Sequence, residues 1–233
     1  MELLITGANR GLGCELAAEA ARRGHRVWAG VRNPESLSES LSALRTLYPQ
    51  QVIALALDVT EEASIAQARS VLERQAGALD GIINNAAVLL GREQKLEELD
   101  MDQMEMSVQT NLYGPLMVLK HFLPLLRKGR QQAIINISSE AGSMTHAYAG
   151  DYAYGITKAA LNMFTAQLRS ELAKLDYAVY AVHPGWIRTD MGGQQATGDA
   201  AEAAASIMDL AERKQLPAEG AWFIDRHGAS MEL

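Results

Sequence analysis

Cysteine is nearly absent: Cys14 stands alone in 233 residues, so neither an intramolecular disulfide nor a multi-cysteine metal site is available. A basic excess is absent too. The formal charge of −7 sets up a field that repels polyanions, which disfavours nucleic acid and anionic membrane as partners. No apolar run reaches the ~20 residues that a transmembrane helix needs, and no secretory leader pattern precedes the first strand-like residues. The six prolines form no proline-rich linker, and no repeat or low-complexity tract breaks the composition. These absences predict a cytoplasmic protein of a reducing compartment, without a metal site. Hydrophobic residues at 48% and charged residues at 21% are ordinary globular usage.

Short apolar runs alternate with longer helical patterns. Strands are expected at Leu3–Thr6, Arg26–Val31, Val52–Asp58, Gly81–Asn84, Ala133–Ser138 and Ala178–His183, with a weaker one at Ala221–Asp225. Helices are expected at Gly13–Arg23, Ser36–Leu47, Glu62–Gln75, Met101–Leu126, Tyr152–Leu175 and Ala200–Leu210. Most strand runs are apolar throughout, as parallel strands covered on both faces are. The alternation predicts an α/β protein: a Rossmann-like, doubly wound, mostly parallel seven-stranded sheet with helices on both faces, one domain over residues 1–233. "REQKLEELD" reads as a solvated helical surface. The irregular "MGGQQATGD" at Met191–Asp199 suits either a mobile loop or a static surface turn.

Between the first strand and first helix lies "TGANRGLG", with glycines at 7, 11 and 13. Glycines there let backbone approach a pyrophosphate, and the helix N-terminus adds free N–H groups and partial positive charge. The spacing is G-x-x-x-G-x-G, unlike the G-x-G-x-x-G dinucleotide fingerprint, and no Gly-Lys-Ser/Thr follows to make a P-loop. The second strand ends in Arg32, with no acidic residue until Glu35. An acidic residue at that place suits NAD and an arginine suits NADP. Arg10 in the glycine turn is a second candidate for the same phosphate, since guanidinium offers a planar fork of charged donors. Asp58 closes the third strand, where it meets an adenine amino group or caps the next helix. The fourth strand runs into "NNAA", whose small side chains leave space for a cofactor or make a simple turn.

"YAYGITKAALNMF" places Tyr154 and Lys158 four residues apart, on one helix face. A tyrosine of ordinary pKa near 10 is a poor proton donor at neutral pH, and a neighbouring ammonium is expected to lower it. "AIINISSEAG" ends a buried strand in serines, and Ser139 is placed to donate to a substrate carbonyl oxygen. Asn111, in "QTNLYGP", interrupts a helical run, where it holds a water, bends the helix or faces solvent.

Taken together, "TGANRGLG", "LDV", "NNAA", Asn111, "NISS", "YGITK" and "HPGWIRTD" resemble the short-chain dehydrogenase/reductase family over essentially the full length. "NNAA" stands where that family has "NNAG", and Ser139 lies about two positions farther from Tyr154 than is commonest. The resemblance implies Tyr154 as general acid, Lys158 as its partner and a ribose ligand, Ser139 as carbonyl orienter, and Asn111 as holder of a water linked to Lys158. It implies phosphate contacts from Gly7, Asn9, Arg10, Gly11, Leu12 and Gly13. It implies Arg32 at the adenosine phosphate, Asp58 and Val59 at adenine, and Asn85, Ala86 and Ala87 near the ribose. Pro184, Gly185, Ile187 and Thr189 would shape the nicotinamide pocket. The cofactor so implied is NADP(H).

"HPGWIRTDMGG" and "GAWFIDRHGASMEL" look like the C-factor and sniffer-type carbonyl reductase branch. The expected activity is NADPH-dependent reduction of an aldehyde, ketone or quinone. The expected pocket draws on Met144, His146, Tyr148, Tyr152, Trp186 and the Met191–Asp199 loop, without a charged anchor, which suits a small, mostly apolar substrate. The other readings are a cofactor-binding regulator with little catalysis and an NAD-dependent alcohol dehydrogenase. A homodimer or homotetramer is expected through the helices at Met101–Leu126 and Tyr152–Leu175.

Overall fold

The computed structural model describes residues 1–233. Its strands are β1 (Glu2–Thr6), β2 (Arg26–Val31), β3 (Val52–Ala56), β4 (Gly81–Asn84), β5 (Ala133–Ile137), β6 (Ala178–His183) and β7 (Phe223–Asp225). They form one sheet in the order β3-β2-β1-β4-β5-β6-β7. Every neighbouring pair is parallel, so the sheet is wholly rather than mostly parallel. An isolated antiparallel bridge joins Ile224 to Ser230.

The chain winds from β1 out to β3, then returns to lay β4 on the other side of β1. Such crossovers need helices on both faces. α1 (Gly11–Arg22), α2 (Glu39–Leu47) and α7 (Ala200–Ala211) cover one face. α3 (Glu62–Gln75), α5 (Gly114–Leu126) and α6 (Tyr152–Glu171) cover the other. Leu3 and Ile5 enter the first core and Leu4 the second, as the two-residue period of a strand requires. The two cores hold 28 and 19 buried residues, which is why the strands read as unbroken apolar runs.

The helix expected over Met101–Leu126 is broken. α4 (Met101–Val108) and α5 are joined by a π-turn at Gln109–Tyr113, a widening of the helix that recurs at functional sites. Asn111 sits inside it. α2 begins three residues later than expected, at Glu39, because the Ser38 hydroxyl caps it by accepting the Leu41 N–H at 3.1 Å. No helix is long and apolar enough to cross a membrane.

At the amino ends of the strands, α1 and α7 meet over an ionic cluster. Arg23 reaches Glu19 at 2.5 Å, Asp209 at 2.6 Å and Glu212 at 2.5 Å, and His25 lies 2.5 Å from Glu212. At the carboxyl ends the chain leaves β1 and β4 toward opposite faces. That divergence opens a crevice, the usual ligand position in open α/β sheets.

Candidate active site

The crevice is a cleft of about 1290 Å³, larger than the ~300–1,000 Å³ of a single small-molecule site. Gly7, Asn9, Arg10, Gly11, Leu12 and Gly13 line one end, with Arg32, Asp58 and Val59 beside them. Asn85, Ala86 and Ala87 line the middle, and Pro184, Gly185, Ile187 and Thr189 face them from the loop after β6. Ser139, Tyr154 and Lys158 are also on the wall, whereas Asn111 lies behind it.

Close packing explains the glycines. Gly7 and Gly11 have φ of +65° and +56°, conformations that strain an L-residue. A Cβ on Gly7 would stand 2.8 Å from the Ala86 Cα, and one on Gly13 would stand 2.3 Å from the Gly7 oxygen and 2.5 Å from Asn85 Nδ2. The β1 turn therefore nests directly on the loop after β4. Asn85 seals that nest by donating Nδ2 to the carbonyls of Thr6 at 2.9 Å and Gly7 at 3.2 Å. Its side-chain amide is thus engaged with the turn.

Arg32 is exposed at the end of β2 and makes no ion pair, whereas Arg10 reaches across the cleft to Asp190 at 3.1 Å. Asp58 accepts both the N–H and the hydroxyl of Thr60, at 3.0 and 2.8 Å. It does not cap α3, whose N-cap is Glu61.

At the opposite end stands the chemistry-bearing group. Ser139 Oγ accepts the Ala141 N–H at 3.2 Å and so caps the short turn Glu140–Gly142. With a lone pair engaged there, its proton is available to an oxygen in the cleft. Lys158, 2% exposed, donates its ammonium to the Ile137 carbonyl at 2.7 Å and lies 5.4 Å from the Tyr154 ring centroid. Burial draws Lys158 down to about 8. Burial also pushes the Tyr154 phenol up to about 12, against the downward pull of the Ser139 hydrogen bond. The expected lowering of Tyr154 is thereby corrected: desolvation of the phenol outweighs the groups that lower it, the Ser139 hydrogen bond and the Arg92 charge. Near neutral pH both groups hold their protons.

Asn111, 1% exposed, accepts the Val88 N–H at 2.8 Å and donates to the Val88 carbonyl at 2.9 Å and to Thr157 Oγ1 at 3.1 Å. Its side chain bolts the loop after β4 to α6. Cys14 is buried, and burial lifts its thiol to about 11, which leaves it inert at neutral pH.

The substrate side departs most from expectation. Tyr148, Trp186, Met191 and Gly192 line the cleft, but Met144, His146 and Tyr152 do not. The Thr145 N–H and hydroxyl donate to the Leu233 oxygen at 3.1 and 2.6 Å. That tie draws this part of the loop outward, and His146 faces Glu232 at 3.9 Å. Charged residues that no sequence motif marks, Arg92, Glu93 and Asp151, are on the wall instead. Asp151 accepts from the Glu93 N–H at 3.3 Å and the Tyr148 hydroxyl at 3.2 Å, while Arg92 donates to the Met191 carbonyl at 3.3 Å. The one signal for them is position: "GRE" follows "NNAA" closely, in the loop leaving a central strand. The loop after β6 is bonded within itself, with Trp186 Nε1 donating to the Gly192 carbonyl at 2.8 Å and a bridge between Ile187 and Gly198.

Residues 2–200 match the family described as short chain dehydrogenase. The chain belongs to that family. An uncharacterized oxidoreductase of Schizosaccharomyces pombe is 35% identical over 189 residues, covering 80% of this chain and 74% of its own. Among solved structures, an NADPH-bound carbonyl reductase from chicken fatty liver superposes with a TM-score of 0.86 at 31% identity, over 100% of this chain and 98% of that one. The carbonyl reductase Sniffer of D. melanogaster superposes with a TM-score of 0.89 at 27% identity, over 100% and 99%. This short-chain dehydrogenase is thus an oxidoreductase with carbonyl reductases among its relatives.

The residues at the glycine end fit a dinucleotide. No side chain caps α1 at Arg10 and no acidic residue stands in its first turn, so the N-terminal N–H groups and the helix dipole remain available to a pyrophosphate. The unpaired Arg32 suits a further phosphate.

Proposed function

We propose that this short-chain dehydrogenase is an NADPH-dependent reductase of an aldehyde, ketone or quinone group on a small substrate, acting in the cytoplasm as a homodimer or homotetramer. The observation that carries the reading is the convergence of Ser139, Tyr154 and Lys158 on one cleft, each holding a transferable or charge-stabilising proton. Gly7 to Gly13 and the start of α1 would hold the pyrophosphate, and Arg32 the adenosine phosphate. Pro184, Gly185, Ile187 and Thr189 would border the nicotinamide, which supplies hydride to the carbonyl carbon. Ser139 donates a hydrogen bond to the carbonyl oxygen and fixes its direction. Tyr154 delivers its phenolic proton to that oxygen as negative charge develops there. An alkoxide is far more basic than a phenolate, so a phenol at about 12 gives up its proton readily. The Lys158 ammonium then stabilises the phenolate left behind. Tyr148 and Trp186 favour a largely apolar substrate body, and Arg92 and Asp151 admit a polar group at its outer end.

The test is oxidation of NADPH and NADH against aldehydes, diketones and quinones. Tyr154→Phe should lower NADPH-dependent turnover by ~10²–10⁴-fold, and Arg32→Asp should weaken NADPH while sparing NADH. Tight NADPH binding without turnover of any substrate would favour the regulator reading. A preference for NADH would favour the NAD-dependent dehydrogenase.

A further inference from the structure

Three buried polar residues on one face of α6, Lys158, Asn162 and Thr165, meet β5. Asn162, 1% exposed, accepts the Ser138 hydroxyl on Oδ1 at 2.5 Å and donates Nδ2 to the Gly142 carbonyl at 3.3 Å. Ser138 and Gly142 are the two ends of the five-residue segment that contains Ser139. One side chain of α6 therefore grips that segment on both sides of its reactive hydroxyl. Gly142 brings the grip close: a Cβ there would stand 2.7 Å from the Lys158 carbonyl carbon and 2.9 Å from the Ala159 nitrogen. No side chain separates the turn from the helix turn that carries Lys158.

We infer that Asn162 is a positioning residue. By bridging Ser138 and Gly142 it sets the distance from Ser139, at the end of β5, to Tyr154 and Lys158 on the earlier turns of α6. The inference rests on the carbonyl-reductase reading insofar as those three groups act on a substrate. The fold supplies its own control one turn along. Asn136 donates to Thr165 Oγ1 at 2.9 Å, a buried polar contact between the same strand and helix that touches nothing in the Ser139 segment. A merely structural role would make the two contacts equivalent.

The experiment compares Asn162→Leu, Asn162→Asp, Ser138→Ala and Thr165→Val with 9,10-phenanthrenequinone and NADPH, alongside thermal unfolding of each. Asn162→Asp keeps the acceptor and loses the donor; Ser138→Ala leaves the helix untouched should the Asn162 variants fold poorly. Asn162→Leu should lower kcat by ~10- to 100-fold with KM and NADPH affinity changed less than about two-fold. Thr165→Val should lose comparable thermal stability and keep its kcat. Adding Ser139→Ala to Asn162→Leu should cost much less than Ser139→Ala alone, because the grip acts through Ser139. Equal kcat loss in Asn162→Leu and Thr165→Val, or full additivity with Ser139→Ala, overturns the inference. Crystal structures of wild type and Asn162→Leu decide the same point without turnover. The 138–142 segment should move from α6 by about 1 Å, a displacement large enough to matter chemically, and superposable segments would refute the proposal. Wild-type turnover in Tyr154→Phe, or no turnover of any aldehyde, ketone or quinone by wild type, sinks the carbonyl-reductase reading, while the two crystal structures still decide whether Asn162 holds the segment.

Discussion

The Lys158 ammonium donates to the Ile137 carbonyl at 2.7 Å, and burial is the one cause that moves its pKa, down to about 8. A buried cation without a carboxylate partner opposes folding. The protein carries that penalty at the point where the proposed reaction needs positive charge.

The penalty has a sign that can be measured. The folded value, about 8, lies below the ordinary lysine value of 10.5. Below pH 8 both folded and unfolded chains are protonated and the full penalty applies. Between pH 8 and 10.5 the folded chain releases its proton first, so stability rises with pH across that window. Relative to Lys158→Met, wild type should gain ~3 kcal/mol between pH 7.5 and pH 10.5 by urea unfolding. An equal difference at both pH values would contradict the assignment. Reductase activity should run the other way, falling as pH rises through about 8.

Gly13→Ala should both destabilise the protein and weaken its hold on NADPH. The added Cβ meets the Gly7 carbonyl and Asn85 Nδ2, and neither group is free to move. Overpacking of this kind costs ~1–3 kcal/mol. Thermal unfolding and fluorescence titration with NADPH check the two effects, and an unchanged NADPH affinity would separate the nest from the cofactor.

Glu212 predicts an acid limb. Burial alone would raise its pKa, but hydrogen bonds from Lys214, His25 and Arg23 together overcome burial and bring it from 4.5 to about 2. Its stabilising contribution is complete above pH 4.5 and disappears as pH falls toward 2. Glu212→Gln should lose ~1–2 kcal/mol at pH 7, less than the full shift because solvent screens part of the cluster, and differ little from wild type at pH 2. Denaturant melts at the two pH values provide the check.

Met101, Met106 and Tyr113 are exposed along α4 and the π-turn, as are Ile156 and Met163 on α6, and the two helices pack side by side. Light scattering at micromolar protein should give a dimer or tetramer, and Met163→Asp with Ile156→Asp should shift it toward monomer. A monomeric wild type would refute the assembly.

Most of the fold is legible in the sequence because its strands are apolar on both faces, and strand-long apolar runs between helical patterns leave few arrangements. The π-turn at Gln109–Tyr113 is marked only by Asn111, which interrupts the helical run, and by the Gly114–Pro115 that follows; neither tells a π-turn from a bend or a solvent-facing asparagine. The cleft lining is legible where close backbone contact demands glycine or alanine. The substrate wall is not. Met144 and His146 look suited to a pocket, but the tie between Thr145 and Leu233 comes from residues 88 positions apart in sequence and turns them away. The charge pattern of "REQKLEELD" suits a solvated helix, yet the segment is a loop with one short turn at Leu96–Glu98, which aims Arg92 and Glu93 at the cleft.

Because every strand points the same way, the sheet has two chemically separate ends. The Arg23–Glu212 cluster occupies one and the cleft the other, a strand length of ~17–20 Å apart. That distance exceeds the ~8–10 Å over which exposed charges act at physiological salt. Tolerance to acid and the proton inventory of the reaction can therefore be tuned independently. Charge can be redesigned at the amino ends of the strands to harden the protein, while the pH profile of turnover stays with the residues at the opposite rim.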